Sequence, residues 1–322
     1  MSVVLEDLTC KPMWVSHMGC LKGCLDFLEM DVSVSWLYGI TGHAFINNIA
    51  RDVCPSGPTA WRCDILFTLG QNAGFEVETI FGAKSDADFA QKQASAWGRV
   101  REAIDEGFPC YGWELKKPEY YVINGYDDAG YVFHGHGDEG VVKPWQELGD
   151  SDIRILVVHV VKPGRPTDEV SAVRAALDFA VQFARTQNWL FGNYTSGPEG
   201  FDLWAQAFEL GRAEGFGVAY NAVVWAECRQ HAVGFLKEVV ELGIVPAVEV
   251  ADALLAYQTS ADALHEVSEL FPFFGHKPEH IVDAWRRDKA IDLLHQIRDA
   301  EAEGLDALER LVGLLSAEVA TV

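Results

Sequence analysis

The chain is short of basic residues, has no long apolar run, and carries too few and too scattered cysteines to build a scaffold. Each shortage removes a class of function. Lys and Arg number 25 against 48 Asp and Glu, a formal charge of -23. That field repels phosphate backbones and no compact Lys/Arg cluster offsets it, so nucleic acid is not an expected partner. No stretch approaches the ~18 apolar residues of a membrane span, and no membrane association is expected. The opening Met1-Ser2-Val3-Val4-Leu5-Glu6-Asp7 lacks a basic start and a continuous apolar segment, so no cleaved secretory leader is expected. The seven cysteines are an odd number in a long chain and read as free thiols of a cytoplasmic protein.

Several chemical signatures are also missing. There is no phosphate-binding Gly-x-x-x-x-Gly-Lys-Ser/Thr loop and no Gly-x-Ser-x-Gly elbow, and neither Gly19-x-x-x-Gly23 nor Gly70-x-x-x-Gly74 is a dinucleotide fingerprint. Cys54 and Cys63 lack the short paired spacing of a structural zinc site. His276-Lys277-Pro278-Glu279-His280 has metal-ligand atom types, but Pro278 breaks the helix that a His-Glu-x-x-His site needs. No metal or cofactor is expected.

What remains is ordinary globular composition, 49% hydrophobic and 23% charged, in 322 residues, enough for two domains. The expected fold class is α+β, with an antiparallel sheet packed on helices over 1–162 and an all-helical domain over 163–322. In the first half, Leu21, Cys24, Leu25 and Leu28 share a face at helical spacing within Gly19 to Glu29. Phe75 to Ile80 alternates with a period of two, and 95–106 reads as a helix ended by Gly107. Strands are expected over Cys110 to Leu115, Tyr120 to Asn124, Tyr131 to Phe133 and the β-branched Ile153 to Val161. Pro163-Gly164-Arg165-Pro166-Thr167-Asp168-Glu169 is the clearest boundary, with Thr167 or Asp168 as a helix cap. Helices are then expected at 168–186, 200–213, 218–242, 246–257, 259–270, 277–299 and 301–318.

A catalytic thiol needs a lowered pKa and a base in reach, conditions met at a helix start facing a histidine. Cys20 qualifies if the first helix begins near Gly19, and Cys24 if it begins at Lys22 or Gly23. Candidate bases are His17, His43, which follows Gly42 at a turn, and His134, on the glycine-rich loop Phe133-His134-Gly135-His136-Gly137.

The segments Gly19-Cys20, Gly23-Cys24, Gly39-Ile40-Thr41-Gly42-His43-Ala44-Phe45, Gly107-Phe108-Pro109-Cys110 and Tyr121-Val122-Ile123-Asn124-Gly125-Tyr126-Asp127-Asp128 together carry a resemblance. Over about 14–162 the chain resembles the papain-like cysteine peptidases, in the branch of the double-glycine leader peptidases and of the N-terminal domain of the butirosin-biosynthesis acyltransferase. The resemblance implies a cysteine nucleophile at the helix start, Cys20 or Cys24. It implies a histidine where this chain has Tyr120 or Tyr121, and an acidic or amide residue near His134-Gly135. Tyrosine, with its reference pKa near 10, is a poor base at neutral pH. The second half resembles the helical partner of such domains, cited on Phe191-Gly192-Asn193-Tyr194-Thr195-Ser196-Gly197-Pro198-Glu199-Gly200-Phe201-Asp202-Leu203-Trp204.

Two functions follow. One is a thiol-dependent hydrolase or acyltransferase acting on an amide or thioester. The alternative is a catalytically inactive papain-like protein that binds a peptide or small molecule in an interdomain cleft. Tyr120, Tyr121, Asn124, Tyr194 and Trp204 are the candidate substrate contacts, with Trp225 as a further cleft aromatic. A homodimer is the general expectation for a soluble protein of this kind.

Overall fold

The computed structural model describes residues 2–319. In chain order, β1 (Val3–Val4) is followed by α1 (Ser16–Phe27), α2 (Val34–Ile40), β2 (Ile49–Ala50) and α3 (Asp64–Gly70). Then come β3 (Phe75–Ala83), α4 (Phe89–Asp105), β4 (Cys110–Trp113), β5 (Tyr120–Tyr126), β6 (Gly130–Gly135), β7 (Asp138–Pro144) and β8 (Ile155–Pro163). The remainder is α5 (Glu169–Thr186), the short β9 (Tyr194–Thr195), α6 (Pro198–Glu209), α7 (Gly215–Glu241), α8 (Ala247–Leu270), α9 (Pro278–Val282) and α10 (Ala284–Val319). The architecture is mixed α+β: an antiparallel sheet packed against helices, then a largely helical C-terminal region.

The chain forms two compact units. The first takes residues up to Ser33 together with Gly74–Arg165; the second takes Val34–Ala73 together with Pro166 onward. The expected division at 162/163 therefore has one crossing where the chain has three. Segment 34–73 belongs with the helices for packing reasons that composition does not reveal. A Cβ at Gly39 would fall 1.9 Å from the Phe235 ring, and the Arg229 guanidinium donates to the carbonyls of Ala44 and Ile46 at 3.1 and 2.7 Å.

In the sheet unit the strand order is β3-β8-β4-β5-β6-β7, all antiparallel, with β1 added alongside β5. Strand alternation sends Tyr121, Ile123, Val158 and Val160 into one core with Ala96, Val100 and Ile104 of α4. The opposite face presents Tyr111, Tyr120 and His159, whose rings meet His17 of α1 at centroid distances of 5.4, 5.1 and 5.9 Å. With helices on both faces, β8 is buried almost throughout, which explains its run of β-branched residues. The hairpin from β5 to β6 turns on Asp127, whose Oδ1 accepts the N–H groups of Ala129 and Gly130 at 2.8 and 2.9 Å. The expected loop after Phe133 is instead strand. His134 lies on β6, His136 and Gly137 make a left-handed turn (φ 51° and 85°), and β7 pairs back.

Segment Thr9–Lys11 lies directly on α1. A Cβ at Gly19 would fall 2.4 Å from the Lys11 carbonyl oxygen and one at Gly23 2.0 Å from that of Thr9. The Gly19/Gly23 spacing is thus a groove that lets backbone meet helix.

In the helical unit Asp168 caps α5, its Oδ1 accepting the Ser171 N–H at 2.8 Å, a contact worth about 1 kcal/mol. The expected breaks within 246–270 and near 300 are absent: α8 and α10 run through as single long helices. Their interior residues are buried, and Glu301, where the second break was expected, holds the buried Arg229 of α7 in a two-pronged ion pair at 2.5 and 2.9 Å. Among the described residues no helix is long and apolar enough to cross a membrane.

Candidate functional site

α1 begins at Ser16, earlier than the Gly19 or Lys22–Gly23 start that the sequence suggests. Val15 is extended (φ -85°, ψ 90°) and the first helical residue is Ser16. Cys20 and Cys24 therefore lie one and two turns inside the helix, and both are 0% exposed. Neither occupies a helix start. Burial pushes both thiols far above the ordinary cysteine range, where they stay protonated and poorly nucleophilic at neutral pH.

The start of α1 carries oxygen and nitrogen instead of sulfur. Ser16 Oγ donates to Glu119 Oε2 at 2.5 Å and accepts the Tyr120 N–H at 3.1 Å, which ties the helix to the beginning of β5. His17 is buried against Tyr111, Tyr120 and His159, and His159 Nδ1 shares a 2.9 Å hydrogen bond with Thr79 Oγ1. Desolvation holds His17 down to about 4, and desolvation followed by the neighbouring His17 holds His159 well below the usual histidine value. Both imidazoles are neutral at pH 7. Ser16, Glu119 and His159 were not among the sequence candidates. His159, alone among β-branched residues in Val157-Val158-His159-Val160-Val161, was the one readable signal.

The other candidates disperse. His43 belongs to the helical unit, with Nδ1 3.6 Å from Cys228 Sγ and its ring against Tyr38 and Trp61. His134 Nδ1 accepts the Cys10 N–H at 3.4 Å, and its Nε2 lies 3.5 Å from Glu139 Oε1. Tyr121 is buried, its hydroxyl accepting the Lys117 N–H at 3.3 Å, and burial pushes its pKa up to about 12. Asn124 is half-buried and its carbonyl accepts the Leu5 N–H at 2.7 Å. Of the expected substrate aromatics, Trp204 is 0% exposed within α6, and Trp225 is likewise buried, its indole N–H donating to Asn221 Oδ1 at 2.9 Å. Both are core residues of the helical unit, correcting their assignment to a cleft. Helical periodicity turns them inward.

Tyr194 does line a cavity, one that lies wholly within the helical unit. β2 pairs with β9 so that Ala50 faces Tyr194. The chain after β2 turns sharply, the Val53 N–H donating to the Ala50 carbonyl at 2.9 Å, with Val53 at φ 56°. A β-branched residue in the left-handed region is strained by about 1–3 kcal/mol, and surrounding contacts must hold it. Asn221 Nδ2 supplies one, reaching the Cys54 carbonyl at 3.1 Å, and the Glu214 N–H donates to the Asp52 carbonyl at 3.0 Å. The result is a cleft of about 730 Å³ between Ala50–Cys54, Phe191–Tyr194 and Arg212. Ser56 Oγ lies 2.7 Å from Cys54 Sγ and 2.6 Å from the Tyr194 hydroxyl. Asp52 Oδ1 accepts the Cys54 N–H at 3.2 Å. Arg51 and Arg212 line this cleft, are exposed, and among the described residues pair with no carboxylate.

No family model matches the chain, and the search of curated proteins finds no match to it. Among the described residues, no group of three or more His, Cys, Asp or Glu is placed to hold a metal ion.

Proposed function

We propose that this chain is a papain-like protein that binds a small anionic molecule in the cleft of its helical unit, and that neither Cys20 nor Cys24 is the nucleophile of a hydrolase or acyltransferase. One observation carries the reading: Arg51 and Arg212 line a single cleft of about 730 Å³ with no carboxylate partner among the described residues, in a chain of formal charge -23. With acidic groups so abundant, two arginines left unpaired around one concavity are suited to an incoming carboxylate or phosphate, which guanidinium groups grip in two-pronged fashion. Phe191 and Tyr194 offer apolar and aromatic surface for the rest of the ligand, and the volume suits a molecule of ordinary metabolite size. The Tyr194 phenol is held protonated by burial and stays a hydrogen-bond donor.

The loss of thiol catalysis is supported at α1, where Ser16 and its bond to Glu119 fill the helix start and the nearby thiols are buried and protonated. A thermal-shift screen of carboxylates and phosphates, followed by calorimetry on the hits, tests the reading. The expected outcome is stabilisation by at least one class, with affinity falling tenfold or more in each of Arg51→Ala and Arg212→Ala. A tenfold loss is about 1.4 kcal/mol, close to the lower end of the roughly 1.5–3 kcal/mol of one charge-assisted hydrogen bond. Absence of any stabilising acid, or affinity unchanged in the double variant, overturns it. Rapid, single-site alkylation of Cys20 or Cys24 in the folded protein at neutral pH would return the thiol-enzyme reading.

A further inference from the structure

Cys10 belongs to no motif in the sequence, yet the fold sets its sulfur beside another thiol. Its Sγ lies 3.6 Å from Cys20 Sγ. This contact is built by the fold: Gly19 and Gly23 have no side chains, so Thr9–Lys11 settles on α1, and the Lys11 N–H donates to the Gly19 carbonyl at 3.1 Å. Cys10 is half-buried and Cys20 fully buried, so one sulfur of the pair meets solvent and the other is sheltered. We propose that Cys10 and Cys20 are a peroxide-sensitive dithiol, in which Cys10 takes the oxidant and Cys20 closes a reversible disulfide that pins Thr9–Lys11 to α1.

The chemistry divides as the burial does. The Cys20 thiol hydrogen-bonds to the Cys10 sulfur, which lowers the Cys10 pKa, while burial keeps Cys20 protonated. The Cys10 thiolate attacks one oxygen of a hydroperoxide; the O–O bond breaks, hydroxide or alkoxide leaves and takes up a proton, and Cys10 becomes a sulfenic acid. Cys20 sulfur then attacks Cys10 sulfur; the S–O bond breaks, and the departing hydroxide takes the Cys20 proton and leaves as water. Two thiols lose two electrons and the peroxide gains them. The sulfurs need to close from 3.6 Å to about 2 Å, a movement available to Cys10 because it lies outside any helix or strand. Among the described residues no other thiol pair combines these features: Cys24, Cys110 and Cys228 are fully buried, Cys54 faces the hydroxyls of Ser56 and Tyr194, and the half-buried Cys63 donates to the Trp61 carbonyl at 3.2 Å.

The test is treatment of the folded, reduced full chain with hydrogen peroxide, then alkylation of free thiols under denaturing conditions and peptide mapping. The expected product has lost the mass of two hydrogens, maps to a Cys10–Cys20 crosslink, and reverts with dithiothreitol. In Cys20→Ser the crosslink is absent and Cys10 is trapped by dimedone as a sulfenic acid. Cys10→Ser, at the half-exposed position, abolishes the crosslink without a change in the buried core and covers the case in which Cys20→Ser fails to fold. Free Cys20 alongside unmodified or sulfinic Cys10 in the wild type, or a crosslink mapping to another pair, overturns the proposal. None of these outcomes depends on a ligand in the Arg51/Arg212 cleft.

Discussion

In the sheet unit Ser16, His17, Tyr111 and His159 gather at the start of α1 and are buried there, whereas in the helical unit Arg51 and Arg212 stand exposed around an open cleft. The first group has the residue types of a catalytic site but little access to water or substrate. The second has access and unspent charge. The helical unit repeats the contrast internally, because its third notable arginine, Arg229, is 0% exposed and fully engaged by Glu301 and two carbonyls. Residue type therefore says less about function here than pairing and exposure do.

The comparison of arginines gives the largest predicted effect. Arg229→Ala leaves Glu301 charged and buried without its partner, and is expected to cost about 3–5 kcal/mol in urea unfolding. Replacing both, Arg229→Met with Glu301→Leu, is expected to recover most of that loss, because neither buried charge then remains. Arg51→Ala and Arg212→Ala should each stay within about 0.5 kcal/mol of wild type, as exposed arginines without ion pairs. A large destabilisation from either would erase the distinction between structural and available arginines.

The buried histidines give the next effect, and its sign can be worked out. Folded His17 titrates at about 4 against a reference of 6.5. Between those values the unfolded chain binds a proton that the folded chain refuses. Stability is therefore fully present above about pH 6.5 and falls as pH drops toward 4, by on the order of 3 kcal/mol for this group. His159 acts in the same direction. Unfolding free energies measured from pH 7 to 4 should show this acid limb, and His17→Gln should flatten it. An acid limb unchanged by the substitution would mean that water reaches the α1 start and that the region is not the dry cluster described above.

Much of the fold was legible because its signals are local. β-branched runs marked β8 and the ends of the β5–β6 hairpin, Asp127 announced its turn, and Asp168 announced α5. What was illegible is long-range. Ser16 and Glu119 are 103 residues apart, so nothing near either predicts their bond, and that bond helps define where α1 begins. β7 is polar and glycine-containing, Asp138-Glu139-Gly140, and reads as loop until β6 is available to pair with it. In the cleft, Tyr194 stood out on its Gly/Pro-flanked segment, whereas Arg51 and Arg212 are single basic residues whose shared cavity appears only once β2 pairs with β9. Cys10 is illegible for the same reason: its partner is set by Gly19 and Gly23, which the sequence presents as a possible helix start beside Cys20 and Cys24 and not as a seat for Thr9–Lys11.

Those glycines supply the smallest and most discriminating test, since two helices of the sheet unit each contain a glycine with an opposite environment. Gly98 of α4 has nothing within 4 Å of where a Cβ would stand. Gly98→Ala should stabilise by about 0.4–1 kcal/mol, because alanine restricts the unfolded chain and favours helix. A Cβ at Gly23 would meet the Thr9 carbonyl at 2.0 Å, backbone that a side-chain rotation cannot clear, so Gly23→Ala should destabilise by about 1–3 kcal/mol despite the same gain in helix propensity. The pair of substitutions isolates the packing of Thr9–Lys11 on α1 from everything helix propensity contributes. It also reaches the dithiol: if Gly23→Ala lifts that segment, Cys10 moves from Cys20, and disulfide closure under peroxide should slow while dimedone trapping at Cys10 increases. Equal stability changes in the two variants would mean that the segment does not rest on α1, and the 3.6 Å sulfur contact would lose its structural cause.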